Sequence, residues 1–206
     1  MEIIKIYLVL GAKEYANWMQ GEIVKNLEDA DLVVFEGGED VSPFLYGEPS
    51  HPSTHTNKER DMYELRIFRR AQELGKKCLG ICRGNQFLCV MNEGLLVQHQ
   101  ENPSFLHKIK TYDGKEIEMT STHHQAAFPF NLSKNEYKIL GWTENMLNFH
   151  QDGNQQEMHP EKECEVVYYP RTNCLGIQPH PEMMDLKSEG VKWCQQLLSK
   201  FMNNEL

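Results

Sequence analysis

Lys77-Cys78-Leu79-Gly80-Ile81-Cys82-Arg83-Gly84-Asn85-Gln86-Phe87-Leu88-Cys89-Val90 is the stretch that decides the fold. It reads as a short apolar strand over Lys77–Ile81, a cysteine with a glycine two residues to either side, and a helix over Gly84–Met91. That is the spelling of a nucleophile elbow. A sharp strand-to-helix turn forces the residue at its tip into a sparsely populated backbone conformation. Neighbouring chain then approaches so closely that a Cβ is excluded two positions before and after. The turn presents Cys82 at the carboxyl end of the strand and aims the following N–H groups at the same point. A thiol so placed points to an enzyme.

The chemistry of such a thiol dictates what else to look for. With a reference pKa of about 8.5 it is only slightly ionised at neutral pH. It needs a histidine, the histidine needs an orienting acid, and the developing oxyanion needs N–H donors. Two stretches carry the same spelling, His159-Pro160-Glu161 and His180-Pro181-Glu182. His180 follows the apolar run Cys174-Leu175-Gly176-Ile177-Gln178, so it leaves a strand where open α/β sheets place their sites. His159 follows the polar run 151–158 and reads as a surface-loop histidine. Context favours His180, with Pro181 stiffening the step to Glu182 so that the carboxylate holds the imidazole tautomer. The N–H of Arg83 and one from the Gly37-Gly38 turn, after Val33-Val34-Phe35-Glu36, are the expected oxyanion donors.

Composition narrows the class. At 206 residues, with 40% hydrophobic and 25% charged residues, the chain suits one soluble α/β domain over residues 1–206. No apolar run approaches the roughly 18 residues of a membrane span. The first residues, Met1 to Leu10, carry Glu2 and Lys5 and read as a buried strand, not a signal peptide. A net charge of −9 argues against general nucleic-acid affinity, and the basic residues between Lys58 and Lys110 read as a solvated face. Six cysteines show neither disulfide-scaffold density nor zinc-knuckle spacing, so reduced thiols in a cytoplasmic protein are expected.

Along the chain, residues 3–10 and Leu32–Phe35 read as strands, with a helical segment over Glu14–Leu27 interrupted near Gly21. Arg60–Leu74 carries Met62, Leu65, Phe68, Ala71 and Leu74 at helical spacing and stops at Gly75. Lys108–Tyr112 and Lys115–Thr120 flank the hairpin turn Asp113-Gly114. Tyr137–Thr143, Cys164–Tyr169 and Cys174–Gln178 read as strands, and Leu186–Met202 as a helix with Val191, Cys194, Leu197, Leu198 and Phe201 on one face. Strands alternating with helices, then hairpins, predict a largely parallel sheet covered on both sides.

Together these residues resemble the class I glutamine amidotransferase family, in its gamma-glutamyl hydrolase-like branch. The matching pieces are residues 80–86, residues 176–182, Phe35-Glu36-Gly37-Gly38-Glu39-Asp40-Val41 with Tyr46-Gly47-Glu48, Arg60-Asp61, and Ser121-Thr122-His123-His124-Gln125. The resemblance implies a flavodoxin-like three-layer α/β/α sandwich with a mostly parallel central sheet. It implies a triad of Cys82, His180 and Glu182, with Gly38 and Arg83 as oxyanion donors. It further implies substrate contacts from Gln86, His124 and Gln125. The expected reaction is hydrolysis of a gamma-glutamyl amide, in glutamine or a gamma-glutamyl amine or peptide, through a Cys82 thioester, with no metal or organic cofactor. Two alternatives stand beside it. One is a glutaminase subunit handing ammonia to a separate synthetase or ligase, since no phosphate-binding G-x-x-x-x-G-K-S/T run occurs here. The other is a catalytically silent binding module on the same scaffold.

Overall fold

Apolar residues with a period of two build the centre of a nine-stranded sheet. The computed structural model describes residues 3–100, 105–120, 122–144, 149–150 and 162–206; the expected loop histidine His159, with Glu161, lies outside them. The first strands are β1 (Lys5–Leu8), β2 (Glu22–Ile23), β3 (Leu32–Phe35) and β4 (Lys77–Ile81). Then come β5 (Leu95–Val97), β6 (His99–Gln100), β7 (Leu106–Thr111), β8 (Glu116–Thr120) and β9 (Ala126–Phe128). The last are β10 (Lys138–Thr143), β11 (Phe149–His150), β12 (Glu163–Tyr169) and β13 (Cys174–Ile177). The main sheet runs β2-β1-β3-β4-β13-β12-β10-β7-β8, while β5 pairs with β9 and β6 with β11.

Pairing is parallel from β2 through β13 and antiparallel from β13 to β8. The parallel half needs crossover connections, which carry the first two helices, while the third follows the last strand. Helix α1 spans Lys58–Glu73, α2 spans Arg83–Met91 and α3 spans Glu189–Met202. Alternate residues of β3 sort the layers. Val33 and Phe35 pack with Phe68 and Ala71 of α1 and Phe87 and Leu88 of α2. Leu32 and Val34 pack with Val191, Cys194, Leu197 and Phe201 of α3 on the other face. Each such fully buried aliphatic side chain contributes about 1.5–3 kcal/mol, so both faces of the sheet are committed. The result is the expected three-layer α/β/α arrangement.

Two expectations are corrected. Residues 14–27 form no α-helix. A 3-10 turn over Lys13–Ala16 leads through a left-handed Gln20 to the two-residue edge strand β2. Gly21 packs onto Ile6 and the Ile4 carbonyl, and Trp18 is fully buried, so tertiary packing overrides local helical propensity. In α1 the buried positions are Asp61, Glu64, Phe68 and Ala71, whereas Met62 is exposed. The apolar spacing is present, but the buried face is turned by one residue to bring two carboxylates inward.

Candidate active site

Cys82 sits where β4 gives way to α2, with φ 52° and ψ −107°. A non-glycine residue there carries about 1–3 kcal/mol of strain, tolerated where the surroundings over-determine it. The surroundings are backbone. A Cβ on Gly80 would run into the Gly84 carbonyl and the Asn85 nitrogen, and one on Gly84 would run into the Phe35 carbonyl. The two glycines of the elbow therefore let β3, β4 and α2 touch. All six cysteines are free and buried, and Cys82 is the one at a strand-to-helix elbow.

His180 follows β13, which lies beside β4 in parallel register. Thr120, at the end of β8, clamps its backbone, because the hydroxyl accepts from His180 N at 3.0 Å and donates to His180 O at 3.1 Å. The imidazole Nδ1 meets Glu182 Oε1 at 2.6 Å, and the ring also hydrogen-bonds the Cys82 thiol. Burial disfavours the imidazolium, but the hydrogen bonds and charges of Cys82 and Glu182 outweigh it and hold His180 up to about 10. Cys82, His180 and Glu182 are thus brought together in the order the sequence reading expects. Beneath them, Asn85 Nδ2 donates to Gln178 Oε1 at 2.9 Å and ties α2 to the segment carrying His180.

The Gly37-Gly38 turn covers Cys82 from the side of β3. Gly37 lies against Cys82, His180 and the Tyr15 hydroxyl, while Gly38, at φ 142°, lies against the Arg60 guanidinium. Arg60 Nη2 donates to the carbonyls of Glu36 and Gly37, both at 2.9 Å. In a trans peptide the C=O and N–H point in opposite directions, so the N–H groups of Gly37 and Gly38 are turned away from Arg60. Glu36 anchors the turn from below, accepting from Leu10 N at 3.0 Å and Ala12 N at 3.3 Å.

The Arg83 side chain does not face the thiol. It is fully buried and paired with Asp61 and Glu64 of α1, and its Nε donates to Glu39 O at 3.0 Å. Its backbone N–H, the first of α2, is the group left for the elbow. Gln86, one turn after Cys82, donates through Nε2 to Gln125 O at 2.8 Å. Gln125 in turn donates to Gln98 O at 3.1 Å, and its Oε1 is buried with no hydrogen-bond partner. His124 pairs with Asp40 at 3.1 Å, which raises its pKa, hydrogen bonding being the leading cause. Gln86, His124 and Gln125 therefore form one neighbourhood beside the elbow.

Sequence reasoning missed Tyr15. Its hydroxyl accepts from Gly37 N–H, and burial followed by the charges of Glu182 and Cys82 pushes its pKa up to about 12. No motif marks it, since a four-residue 3-10 turn has no periodicity to read. It also missed the buried Arg60, Asp61, Glu64 and Arg83 network, for which the paired Arg60-Asp61 spelling was the available signal.

The Peptidase C26 family profile matches residues 15–182. The glutamine amidotransferase-like protein YvdE homolog of Lactococcus lactis subsp. cremoris is 40% identical over 105 residues, 50% of this chain and 55% of that relative. The chain thus spans about half the length of this relative. Protein NtpR of Enterococcus hirae is 28% identical over 173 residues, covering 83% of this chain and 69% of NtpR. Among solved structures, PurLQS from Thermotoga maritima superposes with a TM-score of 0.64 at 18% identity, over 97% of this chain and 99% of that one. That likeness carries the flavodoxin-like fold alone. On the match of its sequence, the chain belongs to the Peptidase C26 family, whose relatives here include glutamine amidotransferase-like proteins.

Proposed function

We propose that this chain hydrolyses a gamma-glutamyl amide bond, with Cys82 as nucleophile, His180 as general acid and base, and Glu182 as the group that orients His180. The observation that carries the reading is the Cys82–His180–Glu182 chain of hydrogen bonds at a strained strand-to-helix elbow. The Cys82 thiolate, its proton already held by the His180 imidazolium, attacks the gamma-carbonyl carbon. The tetrahedral oxyanion is stabilised by the backbone N–H groups of Gly38 and Arg83. His180 then protonates the departing ammonia or amine, leaving a gamma-glutamyl thioester and a neutral imidazole. Water, deprotonated by His180, attacks the thioester carbonyl; glutamate leaves and the thiol is restored. Gln86, His124 and Gln125 line the amino-acid end of the substrate in this reading. The buried Oε1 of Gln125 offers an acceptor there, which suits an ammonium group.

The second reading is a glutaminase subunit that passes ammonia to a synthetase or ligase. It uses the same residues, and the structural likeness to PurLQS keeps it beside the first. Release of glutamate from glutamine and from a panel of gamma-glutamyl amines, measured on the isolated chain, separates the two. Turnover of the amines by the chain alone supports the hydrolase. Turnover of glutamine alone supports the subunit. Cys82→Ala at wild-type rate on either substrate would overturn both.

A further inference from the structure

A second cluster of chemistry-bearing side chains lies on the antiparallel half of the sheet. Glu163 and Glu165 alternate along β12 and so share one face of it. His123 reaches the same place from the segment after β8. The ligand atoms of His123, Glu163 and Glu165 lie within 4.8 Å of one another, and all three residues are buried.

Each of the three is oriented by an outer partner. His123 Nδ1 donates to Gln125 O at 2.8 Å, which puts the lone pair of the neutral ring on Nε2. Gln100 Nε2 donates to Glu163 Oε1 at 2.5 Å, and His107 Nε2 lies 3.0 Å from Glu165 Oε1. Glu165, 1% exposed, keeps its second oxygen buried with no hydrogen-bond partner. Histidine held by a backbone carbonyl and carboxylates held by N–H donors are the outer arrangement that metal ligands carry.

We propose that His123, Glu163 and Glu165 form a structural site for a divalent transition-metal ion of the zinc class. Imidazole with carboxylates suits zinc, whereas calcium takes six to eight oxygens and magnesium keeps several waters. A tetrahedral zinc ion sets its ligand atoms about 3.3 Å apart, given bonds of about 2.0 Å, so small rotamer changes close the site. The ion would tie β12 to the segment that also carries His124 and Gln125, and so brace that side of the proposed substrate neighbourhood. It would form no bond in the steps proposed at Cys82.

The test is zinc titration of the full chain, freed of metal, against a chromophoric chelator, followed by X-ray absorption of the zinc-loaded wild type. One equivalent is expected, retained in Cys82→Ser. Affinity should fall at least about 100-fold in Glu165→Gln and in His123→Asn, beyond the about 10- to 100-fold cost of losing an outer partner. The wild-type ion should show nitrogen and oxygen neighbours only, at about 2.0 Å. That spectrum keeps the test decisive even if a variant fails to fold. No zinc taken up, sulfur in its coordination, or full affinity in folded Glu165→Gln would each overturn the site.

Discussion

At the scale of residues, the elbow depends on what Gly84 lacks. A methyl group there would meet the Phe35 carbonyl, which is backbone and cannot swing aside. Gly84→Ala should therefore lower stability by about 1–3 kcal/mol, the usual cost of overpacking, read as a lower urea midpoint at unchanged slope. His180 makes a pH-dependent prediction. Its pKa, held up to about 10 against burial by Cys82 and Glu182, lies above its ordinary 6.5. A group raised on folding contributes stability that is fully present below the unfolded pKa and is lost as pH rises through the folded one. The stability difference between wild type and His180→Gln should thus be largest below pH 6.5 and shrink steadily up to pH 10. A difference constant over that window would contradict the proposed imidazolium, and with it the partnership of His180 with Cys82 and Glu182.

Elements are held in place around the site by charge as much as by apolar contact. Helix α1 turns Asp61 and Glu64 inward to meet Arg83 at the start of α2, and Arg60 grips the Gly37-Gly38 turn. Truncating one member of a buried ion pair leaves its partners charged and unpaired, at about 3–5 kcal/mol. Arg83→Met should show that loss in denaturant unfolding, although the backbone N–H at position 83 remains. Replacing Arg60 acts differently. Arg60→Met frees the carbonyls of residues 36 and 37 and lets the turn rotate, so kcat should fall about 100-fold or more with far less change in KM, the signature of a misplaced oxyanion donor. Equal effects on both would assign Arg60 to substrate binding.

For the molecule as a whole, legibility follows chain distance. β4, Cys82 and α2 were readable because elbow sterics are local: Gly80 and Gly84 are spelled within two residues of the thiol. His180 and Glu182 were readable because the site end of a strand is marked by the apolar run Cys174–Ile177 before it. The sheet's alternation was legible in Leu32–Phe35, whose four residues serve two layers. Tyr15 was not legible, since only the pairing of β1 with β3 brings it to Gly37. Nor was the rotation of α1, since the apolar spacing of the helix says nothing of Asp61 and Glu64 until Arg83 is placed beside them. The edge strand β2, two residues long, has no pattern of its own.

Every step of the proposed reaction passes through one covalent bond at Cys82, and that bond can be weighed. The chain is incubated with an electrophilic glutamine analogue and its intact mass is measured, with Cys82→Ala alongside. The account predicts a single adduct on the wild type, mapped by peptide analysis to Cys82, suppressed by excess substrate and absent from the variant. A chain that stays unmodified, or one labelled equally when Cys82 is alanine, would contradict it and leave a binding module built on an enzyme's scaffold.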